Sequence, residues 1–258
     1  MIKALFKKFV PKKSLVFKVV FKLYDYKYWY PSPWKFDLLK RYAALKQNVY
    51  FIQVGSNNGV TGDPIYSFIA QFGWKGVLIE PVHYLFEDLK KNYQPYADGL
   101  SFENSAIAHE DGQLPFYRLR KSDNPDLPVW YDQLGSFNKE VISRHQSAIP
   151  HFDELLIEET VNSITFQTLI KKYNISRTDL LHIDTEGYDY EVIKKTPFLQ
   201  LGIEFVMFEH IHLTNADYRA ALVLLKKLGF VYGRRQTDTI AVKKRLLPQL
   251  RTLVENPA

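Results

Sequence analysis

The chain has 258 residues, 46% hydrophobic and 15% aromatic, which is enough to bury the core of one α/β domain with extensions. The absence of cysteine excludes disulfide frameworks, thiolate metal sites and cysteine nucleophiles. The net charge of the chain is +6. Residues 1–30 hold eight lysines and one aspartate and contribute +7, so residues 31–258 sum to −1. We therefore expect no nucleic-acid partner, because no basic stripe continues beyond the N-terminus.

Residues 1–34 form a basic, aromatic N-terminal extension that ends at Pro31-Ser32-Pro33. Lysines interrupt its apolar stretches, so no signal peptide is expected, and no run of about 18 apolar residues predicts a transmembrane helix. Two interpretations stay open: the extension packs on the domain, or it is an amphipathic helix on an anionic membrane surface. We expect a cytoplasmic protein, located at the inner face of the membrane under the second interpretation.

From residue 49 onward the sequence alternates strand-like and helix-like segments. The predicted strands are 49–54, 76–81, 100–108, 179–184, 203–210, 230–234 and 238–244, with 113–119 as a candidate hairpin partner. The predicted helices are 63–72, with Asp63 as N-cap and Pro64 at the first position, 83–93, 166–174, about 188–195, and 215–228. This pattern predicts an α/β fold: a doubly wound, mostly parallel Rossmann-like sheet with helices on both faces and an antiparallel edge pair.

Ligands of such sheets bind beyond the carboxyl ends of the strands. The residues at these positions are Gln53 to Gly59, Glu80, Asn104 with Ser105, Asp184 to Gly187, and Glu209 with His210. Gly55 and Gly59 allow a sharp turn and a close approach of a ligand to the backbone. The next helix, expected to start near residue 60, offers unpaired N–H groups at the same place.

The spacing of this turn indicates which adenosine cofactor it fits. A dinucleotide site needs G-x-G-x-x-G and a P-loop needs Gly-Lys-Ser/Thr, whereas residues 55–59 read G-x-x-x-G. Glu80 ends the second strand, where a carboxylate can accept hydrogen bonds from both ribose hydroxyls, although it can also be an ordinary surface residue. A ribose without a pyrophosphate points to S-adenosylmethionine, and a nicotinamide-dependent oxidoreductase on a related fold stays open as an alternative.

Four segments within residues 49–243 resemble the FkbM family of S-adenosylmethionine-dependent class I methyltransferases: IQVGSNNG, VLIEP, FENSAIA and LLHIDTEGYDYEVI. The last of them is the most specific. The resemblance implies methyl transfer to a hydroxyl oxygen, often on a sugar or another secondary metabolite. It also implies cofactor-binding roles by position: Gly55, Ser56, Asn57 and Gly59 at the methionine portion, Glu80 at the ribose, and Ser105 with Ala106 at the adenine edge.

Gln53 departs from this family pattern, in which an acidic residue is common. Its amide can still accept a hydrogen bond from the ammonium group of the cofactor, but without charge assistance, so cofactor affinity is expected to be lower. This departure is the one hint at an alternative function, a catalytically degenerate, membrane-associated binding subunit on the same fold.

A divalent cation is a further expectation. Asp184, Glu209 and His210 form a candidate site for Mg²⁺ or Mn²⁺, because two carboxylates and an imidazole can hold an ion that lowers the pKa of acceptor hydroxyls. The arrangement resembles the magnesium site of catechol O-methyltransferases. Without a metal, Asp184 and Glu209 orient the cofactor and the substrate instead.

Methyl transfer also requires a base for the hydroxyl proton. Glu186 and His210 are the candidate catalytic residues by position, and His182, His145 and His212 are less favoured. Glu186 can equally cap the helix that follows it, where a carboxylate is electrostatically favoured.

Residues 120–160 interrupt the alternation and are predicted to be an acceptor-binding insertion or lid within a methyltransferase domain of residues 35–258. Trp130 and Tyr131 offer stacking surfaces for a sugar ring, and Asp132, Ser136 and Asn138 offer polar contacts. The expected acceptor is therefore a saccharide, a glycolipid or a related small molecule.

Overall fold

The structure is a computed structural model that describes residues 37–253. Residues 1–34, and with them the predicted membrane contact, lie outside the described residues. Within residues 37–253, no helix combines the length and the apolar character needed to cross a membrane.

The strands and helices are as follows in chain order. The strands are β1 (Tyr50–Val54), β2 (Lys75–Ile79), β3 (Leu100–Glu103), β4 (Ala106–Ile107), β5 (Gly112–Leu119), β6 (Gly135–Ser136), β7 (Leu156–Ile164), β8 (Leu180–Ile183), β9 (Phe205–Glu209), β10 (Phe230–Arg235) and β11 (Asp238–Lys243). The α-helices are α1 (Leu38–Leu45), α2 (Tyr66–Phe72), α3 (His83–Asn92), α4 (Lys139–Ser143), α5 (Phe152–Leu155), α6 (Phe166–Lys172), α7 (Asp189–Lys195), α8 (Phe198–Leu201), α9 (Asn215–Lys227) and α10 (Leu247–Thr252).

The main sheet has the strand order β10–β11–β9–β8–β1–β2–β3. Strands β9, β8, β1, β2 and β3 run parallel, whereas β11 pairs antiparallel with both β9 and β10. The predicted fold class, with its antiparallel edge pair, is confirmed. The strand order reverses between β1 and β8, which is where doubly wound sheets form their ligand crevice.

Both faces of this sheet are covered by helices because each strand is apolar on both sides. Phe51 and Leu78 pack with helices α1, α2, α3 and α10 in one buried cluster. Ile52 and Val77 point to the opposite face and pack with α6, α7, α8 and α9 in the other cluster. The helices cover the faces of the sheet but not the carboxyl ends of its strands, and polar residues lie at this edge of the sheet.

A second, four-stranded sheet in the order β4–β7–β5–β6 departs from the predicted elements. The predicted strand 100–108 is broken, because Asn104 turns away and donates its side-chain amide to the carbonyls of Glu80 and Pro81 at 2.8 and 3.1 Å. Strand β4 then pairs with β7 rather than continuing β3. The predicted hairpin partner, β5, pairs along its whole length with β7.

The insertion of residues 120–160 is therefore not wholly irregular. Residues 156–160 belong to β7, and the preceding segment contains β6, α4 and α5. It packs on a small apolar core of its own: Leu119, Leu127, Tyr131, Leu134, Ile142, Ile149, Phe152 and Leu155. The segment is thus a folded cap that β5 and β7 carry to the edge of the main sheet.

Candidate active site

A cleft of about 820 Å³, counted out to its open mouth, lies beyond the carboxyl ends of β1, β2 and β8. The main sheet contributes the glycine turn, Glu80 and the segment from Asp184 to Glu186, and the second sheet contributes β4 and Phe116. The insertion contributes Asp132, Gln133, Leu134, Gly135 and Phe137. The cleft therefore meets the sheet at the predicted strand ends and is partly covered by the predicted insertion.

The glycine turn is pinned against both neighbouring strands. Gly55 adopts a φ of +80°, and a Cβ atom at this position would lie 1.8 Å from the carbonyl oxygen of Asp184. The N–H groups of Gly55 and Ser56 both donate to the carbonyl of Ile79, at 3.0 and 2.9 Å. Only glycine fits between β1 and β8 here, and the turn leaves Gly55 and Asn57 on the wall of the cleft.

Glu80 is a buried carboxylate at the edge of the cleft. Its Oε1 accepts a hydrogen bond from the N–H of Val82 and its Oε2 one from the N–H of Asn57, both at 2.8 Å. Burial raises the pKa of Glu80 to about 7, and repulsion from Asp184 and Glu159 adds to the rise, while the two N–H groups counteract it. Each oxygen keeps a further lone pair with which to accept a hydrogen bond from a ligand.

An apolar wall adjoins Glu80. Val82, Leu85, Ala106 and Phe116 form one buried cluster, and all four line the cleft. Ser105 also lines it, but its hydroxyl donates to Glu103 Oε1 at 3.0 Å. Of the two residues predicted at the adenine edge, Ala106 supplies apolar surface. The hydroxyl proton of Ser105 is donated to Glu103 and not to a ligand.

Three residues predicted to contact the cofactor, Gln53, Ser56 and Gly59, do not line the cleft. Ser56 Oγ donates to the carbonyl of Gln53 and accepts from the N–H of Ile79, so it supports the turn from within. A Cβ atom at Gly59 would lie 2.3 Å from the ring of Tyr93, which shows that this glycine packs against α3. Sequence position alone does not tell which side of a turn a residue faces.

The amide of Gln53 instead joins a buried network behind the turn. Its Nε2 donates to Asp63 Oδ2 at 3.1 Å and lies 3.0 Å from His182 Nδ1. Asp63 Oδ1 accepts from the N–H groups of Ile65 and Tyr66 just ahead of α2. This helix begins at Tyr66 with Ile65 at its N-cap, so Asp63 and Pro64 precede the cap and first positions predicted for them. Burial raises the pKa of Asp63 to about 6.

Asp184 follows β8 and faces the cleft. Surrounding protein raises the pKa of its carboxyl to about 7, and repulsion from Asp238 and Asp63 acts in the same direction. Its surface is nonetheless open to the cleft, so water there limits this rise. The carboxylate is placed to attract a cationic group of a ligand.

Glu186 connects the cleft with a second group of polar side chains. It adopts a left-handed φ of +48°, which residues other than glycine rarely do, and its carbonyl accepts a 2.8 Å hydrogen bond from Ser136 Oγ. Its Oε2 lies 3.1 Å from His212 Nε2, and Glu209 Oε2 lies 3.7 Å from the same nitrogen. Burial and neighbouring carboxylates raise the pKa values of Glu186 and Glu209 well above the usual range.

His210, predicted as base and metal ligand, does not belong to this group and does not line the cleft. It is fully buried, with Nδ1 3.2 Å from Thr239 Oγ1 and its ring stacked on Tyr218 at 4.9 Å. His212, a less favoured candidate in the sequence analysis, lies beside Glu186 instead, because the chain turns back towards Glu186 after β9. The alternative role of Glu186 as a helix cap is also not observed: α7 begins at Asp189, whose Oδ2 accepts from Gly187 N–H at 3.3 Å.

The predicted acceptor contacts in the insertion fall into two kinds. Asp132 lines the cleft, and Trp130 is 40% exposed with its ring 5.6 Å from that of His145. Tyr131 bonds to Ser122, and Asn138 caps α4, so both stabilise the insertion itself.

A parallel sheet with a glycine turn at β1, a ribose-type carboxylate after β2 and a cleft at the switch point is the fold of class I methyltransferases. The family model for the methyltransferase FkbM domain matches residues 53–232, and the chain belongs to this family of S-adenosylmethionine-dependent methyltransferases. No curated protein matches the chain.

Similar solved structures are also methyltransferases. The methyltransferase FkbM from Methylobacillus flagellatus KT has a TM-score of 0.48 and 11% identity, over 76% of this chain and 43% of that one. The N-terminal domain of human METTL16 in complex with SAH has a TM-score of 0.41 and 11% identity, over 79% and 64% of the two chains. Precorrin-6y C5,15-methyltransferase from Geobacter metallireducens GS-15 has a TM-score of 0.35 and 10% identity, over 78% and 85%. This chain spans less than half the length of the first of these structures.

Proposed function

We propose that the protein transfers the methyl group of S-adenosylmethionine to a hydroxyl oxygen of a saccharide, a glycolipid or a related metabolite. The observation that carries the proposal is the arrangement of one cleft. At one side it has a buried carboxylate, Glu80, beside an apolar wall, and at another it has Glu186 in contact with His212. Glu80 and the apolar wall suit the binding of an adenosine, and Glu186 with His212 suits the removal of a proton.

The residues of the cleft fit the cofactor in shape and charge. Glu80 has one free lone pair on each oxygen for the two ribose hydroxyls, and Val82, Leu85, Ala106 and Phe116 form an apolar slot for adenine. Asp184 faces the same cleft and is repelled by other carboxylates, so it gains from a cationic ligand. When bound, S-adenosylmethionine supplies a methyl group activated by a positively charged sulfur.

The remaining steps belong to side chains of the protein. An acceptor hydroxyl must lie in line with the methyl group and must lose its proton. Glu186 lines the cleft, and its carboxylate, when ionised, can accept this proton. His212 Nε2, 3.1 Å away, stabilises the ionised carboxylate before transfer and can pass the proton onward.

A hydroxyl acceptor carried on a sugar is favoured by the insertion. Trp130 stands exposed at the outer end of a row of rings, 5.6 Å from His145, which is in turn 5.2 Å from His212. Trp130 is thus one ring removed from His212, outside the lining of the cleft, and an exposed aromatic ring there suits the apolar face of an extended saccharide whose reacting hydroxyl enters the cleft. Membrane-linked saccharides would also explain the basic extension at residues 1–34.

The test is transfer of a radioactive methyl group from S-adenosylmethionine to three separate pools: oligosaccharides and glycolipids, RNA, and proteins. We expect label in the first pool, in a form stable to mild alkali, as methyl ethers are. The variant Glu186→Gln should lose most of this transfer, whereas Glu154→Gln, at an exposed position, should keep it. Label confined to RNA or protein would overturn the acceptor class, and cofactor binding without transfer to any pool would favour the degenerate binding subunit.

A further inference from the structure

Three side chains from separate segments converge beside the cleft: Glu186 after β8, Glu209 at the end of β9, and His212 before α9. One ligand atom from each lies within 4.8 Å of the others. The three side chains are only 13–18% exposed. They form a compact, largely enclosed set of two carboxylates and one imidazole.

The two buried carboxylates have few interaction partners. Glu186 Oε2 and Glu209 Oε2 are closed to solvent, and neither accepts a hydrogen bond from any group in residues 37–253. Their close ionic contact is with one imidazole, that of His212. Buried carboxylate oxygens of this kind are costly unless a cation or several donors satisfy them.

The wider surroundings are also negative. Asp184, Glu186, Asp189 and Asp238 are close enough for their negative charges to repel Glu209. Arg144 is nearby, but its Nη1 donates to the carbonyl of His212 rather than to a carboxylate. A small cation of charge +2 would offset this accumulated negative charge.

We propose that Glu186, Glu209 and His212 together bind one divalent transition-metal cation, Mn²⁺ in preference to Mg²⁺. Carboxylate oxygens suit both ions, but imidazole nitrogen suits the first-row transition metals better, so the mixed donor set selects Mn²⁺. This set shares only Glu209 with the one expected from the sequence.

The insertion holds two of the three ligands in place. Ser136 Oγ fixes the carbonyl of Glu186 at 2.8 Å, and Arg144 fixes that of His212 at 3.3 Å. Gly187 fits between these segments, since a Cβ atom there would lie 3.1 Å from Val141 and 3.4 Å from the carbonyl of His212. Such supporting contacts give metal ligands a fixed orientation.

The catalytic meaning of the ion rests on the proposed methyl transfer, while its binding does not. With Glu186 and His212 as its ligands, the ion would take over part of their role in proton removal: its positive charge would lower the pKa of an acceptor hydroxyl, so that a weaker base suffices. Adjacent hydroxyls of a sugar are suited to occupy the open positions of such an ion.

The experiment is titration of the full chain with MnCl₂ in the absence of cofactor, followed by calorimetry and by the electron paramagnetic resonance signal of free Mn²⁺. We expect one site, with Mg²⁺ binding at least about tenfold more weakly. Glu209→Gln and His212→Gln should each weaken Mn²⁺ binding more than about tenfold, because changes in mere supporting residues already cost about 10- to 100-fold. Glu154→Gln, which alters an exposed carboxylate, is the matched control and should bind as the unaltered chain does.

Binding of S-adenosylhomocysteine is measured alongside Mn²⁺ binding, so that failure of the metal site and failure of the proposed function can be told apart. Each variant is titrated with S-adenosylhomocysteine to show that it is folded, because Glu209 and His212 do not line the cofactor cleft. If Mn²⁺ does not bind, or binds equally to Glu209→Gln and His212→Gln, the metal site is refuted while cofactor binding still stands. If Mn²⁺ binds as expected but S-adenosylhomocysteine does not, the proposed function fails and the metal site stands.

Discussion

At the level of single residues, Glu80 links the acidity of the cleft to cofactor binding. Its pKa of about 7 means that the carboxyl is partly protonated near neutral pH. Ribose hydroxyls donate to the carboxylate, so cofactor binding favours the ionised form, lowers the pKa of Glu80 and releases protons. The affinity should accordingly fall as the pH drops below about 7, in the window between the bound and the free pKa.

This proton release can be measured by calorimetry with S-adenosylhomocysteine at about pH 6.5, in two buffers that differ in ionisation enthalpy. The apparent binding enthalpy of the unaltered protein should differ between the buffers in the sense of protons released. In Glu80→Gln the difference should become smaller, because only the protons released by Asp184 remain. A buffer effect of the same size in both proteins would assign the protons to another group.

Gly55 offers a second test at this scale, with a matched glycine as control. Gly55 and Gly62 both have positive φ, +80° and +72°, but a Cβ atom would meet the carbonyl of Asp184 only at Gly55, whereas Gly62 has open space. Gly55→Ala should therefore lower the free energy of unfolding by about 1–3 kcal/mol more than Gly62→Ala. Urea denaturation measures the difference, and equal losses would contradict the close contact between the turn and β8.

The residues that sequence reasoning placed well are those whose role follows from position on a strand. Glu80 and Asp184 end parallel strands, so they had to reach the same edge of the sheet. Ser56 and His210 also follow strands, but tertiary contacts turned them inward, Ser56 to Ile79 and His210 to Thr239. His212 was undervalued because a loop, whose path no periodicity predicts, carries it back to Glu186.

At the level of secondary-structure elements, the insertion stabilises the segment that carries Glu186. Ser136 is buried, and its hydroxyl bonds to the carbonyl of Glu186 in a left-handed turn. Ser136→Ala should leave that carbonyl unsatisfied and lower the free energy of local opening by about 1–3 kcal/mol.

Hydrogen exchange read by mass spectrometry tests this effect in peptides that contain residues 184–190. Their exchange should become faster in Ser136→Ala. It should stay unchanged in Ser143→Ala, because Ser143 is at the end of α4 and its hydroxyl bonds to Lys139 of the same helix. Unchanged protection in Ser136→Ala would mean that the insertion does not hold this turn.

The elements themselves were largely predictable, because each central strand is apolar and each helix has a buried face. The second sheet was not, since β4 and β6 have only two residues each and owe their pairing to β7 and β5. Helix α1 was also missed, although Asp37 caps it and Leu38, Leu39 and Tyr42 are buried. Eight residues next to a basic extension are too short a pattern to stand out.

At the level of the whole molecule, the charge of the cleft is acidic, and no lysine or arginine of residues 37–253 lines it. Residues 31–258 sum to −1, and the carboxylates of Glu80, Asp184, Glu186 and Glu209 lie in or beside one cleft. This arrangement disfavours an anionic ligand and favours a cationic cofactor together with a neutral acceptor. It agrees with methyl transfer from a sulfonium to a sugar hydroxyl.

Glu80 should hold the ribose of S-adenosylmethionine in this cleft, and calorimetry with S-adenosylhomocysteine measures that contact. At about pH 8, where Glu80 is ionised, the unaltered protein should bind, and Glu80→Ala should bind about 1–3 kcal/mol more weakly, or roughly 5- to 150-fold. The control Glu87→Gln, at an exposed position on α3, should match the unaltered protein. No binding by the unaltered protein would exclude the cleft as the cofactor site, and equal binding by Glu80→Ala would exclude Glu80 as the ribose contact.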